Sequence, residues 1–157
     1  MCLYRLTKSI ARFDDMPEAC IAAKIVRKMK DEKGVHYLPL YNSGQLFRHG
    51  APYSDYRQLQ WPRIGGGWGM RDPVHSWDNS VERSDCGAYY AAGVHAYASV
   101  LGAKQALRAM PDTMNKVTVR VLLRGPICEG TELIDSHGPT DSVNVVVYKE
   151  MTILEEV

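Results

Sequence analysis

The chain has 157 residues and a formal net charge of +1, with 45% apolar and 24% charged residues. That length suits one domain with a sizeable core, and that composition is ordinary for a soluble globular protein. A charge so near zero supplies no general pull toward nucleic acid or acidic membranes, no apolar run approaches the roughly 18 residues of a membrane span, and no long apolar stretch opens the chain as a secretion signal would.

The expected location is therefore the cytoplasm, that of the host cell if the gene is a phage's. The cysteines, Cys2, Cys20, Cys86 and Cys128, are widely spaced and form no Cys-x-x-Cys pair. Free thiols in a reducing compartment are the expectation.

Residues 2–7 alternate weakly and predict a short first strand. Trimming of Met1 would leave Cys2 terminal, the layout of amidohydrolases that use the terminal amine as base; the plainer reading is a small apolar residue at a strand start. Asp14 or Asp15 then caps a helix near residues 16–33. Pro17 suits its first position and Glu18 the positive end of its dipole. Ala19, Ala22, Ala23, Val26 and Met29 give an apolar face, Lys24, Arg27, Lys28 and Lys30 a basic side, and Gly34 the C-terminal cap. Residues 35–41 read as a strand, placed at an edge by Pro39.

Residues 44–84 hold no helical or strand period for long. Arg48, Tyr53, Tyr56, Arg57, Trp61, Arg63, Trp68, Arg71, Trp77 and Arg83 are interleaved with prolines and with Gly65-Gly66-Gly67-Trp68-Gly69. A long irregular loop inside a compact domain is functional or hides an element. Arginine and tryptophan dominate interface hot spots and also stack on nucleobases; the structural alternative is that the aromatics pin the loop to the core. Arg57, Trp61, Arg63, Trp68 and Arg71 are the candidate binding residues. The glycine run matches neither a Walker loop nor a dinucleotide fingerprint.

Residues 86–97 form a glycine-bounded aromatic segment, and residues 99–110 a second helix. Ser99 caps it, Val100, Ala103, Ala106, Leu107 and Met110 share one face, Lys104 and Arg108 lie on another, and Pro111 ends it. In the strand that follows, Val117, Val119, Val121 and Leu123 face one way, and Thr118, Arg120, Leu122 and Arg124 the other, with Gly125-Pro126 as the stop. Residues 132–134 suggest a short strand, and residues 142–148 and 151–154 two strands or one bent at Lys149-Glu150. The fold class these elements predict is α+β: one domain over residues 1–157, a mostly antiparallel sheet with two main helices and the long loop.

Candidate chemistry is sparse. His36, His49, His75, His95 and His137 form no His-x-x-x-His or His-Glu-x-x-His pair, so no metal is expected. Tyr89, Tyr90 and His95 cluster among small residues. The order of aromatic segment, helix, Val-rich strand and acidic closing strand resembles the latter half of ADP-ribosyltransferase-like domains. That resemblance implies NAD as cofactor, Arg5 on the first strand, Tyr89 or Tyr90 lining the nicotinamide pocket with His95 beside them, and Glu150 or Glu155 as the acid. The chain is also similar to small phage and prophage proteins in Met1-Cys2-Leu3, in Gly93-Val94-His95-Ala96 and in the Val143 to Val147 strand before Glu155-Glu156.

The leading functional expectation is a macromolecule-binding accessory protein, a phage factor that blocks a host or defence protein through the Arg/Trp loop and needs no cofactor. The second is an ADP-ribosyltransferase-like enzyme. The third is a single-strand nucleic-acid binder using a local arginine stripe.

Overall fold

The computed structural model describes residues 5–9, 16–40, 46–54, 81–83, 89–134 and 141–157. These form nine strands and one helix: β1 (Arg5–Ser9), β2 (Ala19–Asp31), β3 (Gly34–Leu38), β4 (Pro52–Ser54), β5 (Val81–Arg83), β6 (Tyr89–Ala91), β7 (Val94–Tyr97), α1 (Val100–Ala109), β8 (Lys116–Ile134) and β9 (Asp141–Glu156).

Every pairing between two of these strands is antiparallel, and the sheet closes on itself. One edge of β8 pairs β2 from Ala19↔Arg124 to Arg27↔Lys116, and its other edge pairs β9 from Val119↔Glu156 to Ile134↔Asp141. Strand β7 completes the circuit, pairing β9 from Val94 to Tyr97 and touching β2 at Ala23↔Tyr97. Strand β1 extends the far half of β8, β3 pairs the end of β2, and β4 pairs β9. Strands β5 and β6 make a separate two-stranded sheet.

Two apolar layers follow from the two faces. Ala22 and Val26, Val94 and Ala96, Val119, Val121 and Leu123, and Val146, Tyr148, Met151 and Ile153 line the inside of the circuit, joined by Met16, Tyr37 and Phe47. The opposite face carries Ala23, Ile25, Tyr97, Cys128, Ile134, Val143, Val145 and Val147, and α1 covers it with Ala103 and Ala106. The helix is the one expected: the Ser99 hydroxyl accepts from the Gly102 N–H, and α1 stops ahead of Pro111. Cys20 and Cys128 are not in disulfides; Cys2 and Cys86 lie outside the described residues.

The α+β class with two main helices is corrected here. The described chain is mostly antiparallel β-sheet with a single helix of any length. The expected helix at residues 16–33 is instead strand β2 and its turn into β3. The sequence misleads because β2 is buried on both sides: Ala22 and Val26 face one layer while Ala23 and Ile25 face the other. A strand covered on both faces loses its alternation, and its apolar run cannot be told from a helix face by period alone. Nine consecutive pairs with β8 outweigh the capping signals at Asp14, Asp15 and Pro17. The expected cap Gly34 closes a tight hairpin instead, with Asp31 opposite Gly34, φ 121° at Gly34, and the Asp31 carboxylate accepting from the Lys33 N–H at 2.7 Å.

Gly125-Pro126 is likewise a corner and not a stop. Gly125 takes φ 69°, and β8 runs on to Ile134. The corner breaks the alternation: Val121 and Leu123 face the interior, but Ile127, which alternation would place with them, packs in the layer under α1. Strand β9 bends beside it at Lys149-Glu150, as its sequence suggested, so that Tyr148 and Met151 both point inward despite a spacing of three. Within residues 44–84, short strands appear where no strand period was read. β4 lies on β9, and Phe47 and Tyr53 pack edge to face at 4.7 Å against the inner layer. These two aromatics do pin their part of the segment to the core.

Candidate functional site

Buried polar groups gather where β6 turns into β7 against β8. The turn is Ala92-Gly93, and Gly93 has no room for a side chain: a Cβ there would lie 2.5 Å from Ile127 Cδ1 and 2.8 Å from the Tyr148 carbonyl oxygen. This close approach brings Tyr90 back over His95. The Tyr90 hydroxyl and His95 Nε2 share a hydrogen bond of 3.0 Å, their rings meeting edge to face with centroids 5.7 Å apart. Both are enclosed, Tyr90 being 5% and His95 6% exposed.

Glu132, two residues before the end of β8, joins this pair. Its strand face runs Cys128, Gly130, Glu132, Ile134, toward α1 and β7. Burial pushes its carboxyl above the usual glutamate range, opposed by a hydrogen bond with Tyr97 and by the nearby His95 and Lys24. Oε2 is buried without a hydrogen-bond partner among the described residues. Lys24, from β2, donates from Nζ to the His95 carbonyl oxygen. Four strands thus contribute to one cluster of Lys24, Tyr90, His95, Tyr97 and Glu132. The Tyr90–His95 pair shares one proton between phenol and imidazole, and the raised carboxyl near it favours holding its own. Enclosed as it is, it also locks β6 onto β7.

Of the expected catalytic set, the structure brings Tyr90 and His95 into contact. Arg5 lies on β1 opposite Thr131, the neighbour of Glu132, and Tyr89 lies on β6 opposite Arg83; only their backbones are described. Glu150 does not join them. It is exposed past the β9 bend, between Ser54 and Arg124 in register. Glu155 pairs with Arg120 on the surface. The carboxyl beside His95 is Glu132, which sequence reasoning passed over; its signal was an acidic residue in step with Ile134 on an otherwise apolar strand face. Lys24, read as part of a solvated basic helix, also belongs to this cluster. The binding candidates Arg57, Trp61, Arg63, Trp68 and Arg71 lie outside the described residues.

Among the described residues, no group of three or more His, Cys, Asp and Glu side chains is arranged to hold a metal ion, and no helix is long and apolar enough to cross a membrane. No protein-family model, curated protein or solved structure matches this chain.

Proposed function

We propose that the protein is a macromolecule-binding accessory factor, a phage-type inhibitor of a host or defence protein, whose partner surface is the Arg/Trp segment between β4 and β5. The observation that carries this reading is how the segment is anchored. β4 ends at Ser54, where it is paired to β9, and β5 begins at Val81, where it is paired to β6. β6 is in turn held by the Tyr90–His95 hydrogen bond. A segment rich in hot-spot residue types is tethered at both ends to ordered strands, and rigid support of that kind lowers the ordering cost of binding. The partner is a protein of the host cytoplasm, and no cofactor is needed.

The test is capture of a partner from host lysate by the full chain and by Arg57→Ala, Trp61→Ala, Arg63→Ala and Trp68→Ala variants. At least one variant is expected to weaken capture by about 2 kcal/mol while the melting temperature stays within the range of surface substitutions, about 0.5 kcal/mol. Tryptophan variants that lose stability and keep all capture defeat the reading.

A second reading, an ADP-ribosyltransferase-like enzyme using NAD, is favoured by one specific observation: Tyr90 and His95 are in contact and lie beside a carboxyl of raised pKa, the kind of perturbed cluster common at catalytic sites. It expects NAD hydrolysis that Tyr90→Phe abolishes and Trp61→Ala spares. NAD left intact by the full chain rules it out.

A further inference from the structure

The last turn of α1 and the first residues of β8 enclose a groove of about 310 Å³. Its wall carries three cationic side chains, Lys104, Arg108 and Lys116, and its apolar lining includes Leu107 and Val117. Lys104 and Arg108 stand one helical turn apart on the same side of α1. Arg108 complements the helix dipole in the last turn, but Lys104, a turn earlier, does not serve that purpose. Lys116 donates to the Asp112 carbonyl oxygen, a neutral acceptor. None of the three pairs with a carboxylate among the described residues. The acidic side chain on the groove, Glu156, is already held by Lys28 at 2.7 Å and by the Tyr37 hydroxyl.

The second observation is independent of the charges. Thr118 also lines this groove, is 3% exposed, and its Oγ1 has no hydrogen-bond partner among the described residues. It opposes Ile25 on the α1 side of the sheet, where a valine would fill the same space without the polar atom. A buried hydroxyl left unpaired costs stability, so its presence calls for a partner.

We propose that this groove binds a small phosphate ester: the phosphate lies among Lys104, Arg108 and Lys116 and accepts a hydrogen bond from the Thr118 hydroxyl, and the apolar body of the ester lies on Leu107. Arginine and lysine donors suit phosphate oxygens, and the volume is at the lower end of small-molecule sites. The groove shares no residue with the Arg/Trp segment, so its fate and that of the binding reading are decided by different variants.

The test titrates the full chain with phenyl phosphate, inorganic phosphate and phenol, followed by calorimetry and by amide chemical shifts. Phenyl phosphate is expected to bind about tenfold more tightly than inorganic phosphate, phenol not to bind, and the shifts to centre on α1 and the start of β8. Arg108→Gln and Lys104→Gln, both surface changes, should each weaken phenyl phosphate about tenfold. Thr118→Val gives the sharper result: affinity falls severalfold while the unliganded protein melts at the same temperature or higher. The proposal is overturned by absent binding, by binding indifferent to Arg108→Gln, by inorganic phosphate binding as tightly as the ester, or by a Thr118→Val variant that melts lower and binds unchanged.

Discussion

The inside and the outside of the closed sheet are built from the same strands but differ in chemistry. The inner layer is dry, and its few polar tips are satisfied at its rim: the Tyr148 hydroxyl donates to the Pro17 carbonyl at 3.0 Å and the Tyr37 hydroxyl reaches Glu156. Burial there pushes the Tyr148 phenol well above its ordinary value, so it stays neutral. The layer under α1 holds the buried polar residues His95 and Thr118 and, beside them, the half-buried Glu132. Among the described residues, the unpaired buried side-chain oxygens of Thr118 and Glu132 both belong to this outer layer. One face supplies stability with nothing to react, and the other tolerates polar groups whose cost is accepted where a ligand or a proton can use them.

The largest expected effect tests the dry face. Val121 is 0% exposed in mid-strand, opposite Ala22 on one side and Ile153 on the other. Val121→Asp buries a carboxylate with no partner, which costs several kcal/mol against a total stability of about 5–15 kcal/mol. Circular dichroism and thermal melting should show an unfolded or barely folded chain. A variant that melts near the parent would mean this layer is not the core.

Gly93→Ala probes the seam between the layers. The added methyl meets Ile127 and Val147 side chains, which can shift, and the Tyr148 carbonyl oxygen, which is fixed by the β-ladder. Overpacking of this kind costs typically about 1–3 kcal/mol, and the backbone contact places this case at the upper end. The Tyr90–His95 contact should loosen with it, visible as greater solvent exchange at His95 by NMR. A melting temperature equal to the parent's would contradict the close approach.

The smallest effect concerns the polar face alone. The Glu132 carboxyl lies above its ordinary pKa in the folded chain, chiefly through burial. The folded state therefore holds this proton at pH values where the unfolded chain has released it. This contribution to stability is fully present below the unfolded value and is lost as pH rises from there through the raised folded value. Glu132→Gln removes the titration. Relative to the parent, the variant should gain stability as pH rises from the ordinary glutamate range. The difference between the two melting curves is the quantity to follow, because Asp31, held low first by the Lys33 amide, drives the parent's stability the other way. A pH-independent difference would show that Glu132 is solvated.

What could be read from the sequence depended on how far each element's signal was local. Helix α1 carries its own instructions in Ser99, its apolar face and Pro111, and it appears where they put it. The first half of β8 alternates cleanly because one of its faces meets the fully apolar interior. Strand β2 was read as a helix because burial on both faces erased the alternation that marks a strand. Tyr90 and His95 were legible as a cluster because only a short turn separates them. Glu132 and Lys24 were not, since strands far apart in the chain bring them there.

The sequence by itself determined the helix and the apolar face of the first half of β8, and offered the bend at Lys149-Glu150 as one of two readings, because each rests on neighbours within a few residues. The tertiary structure alone decided that β2 is a strand, that Gly125 turns a corner and does not end β8, and that Lys24 and Glu132 meet at His95. Those outcomes depend on pairing between β2, β7, β8 and β9, and the free energy of closing that circuit belongs to no single segment.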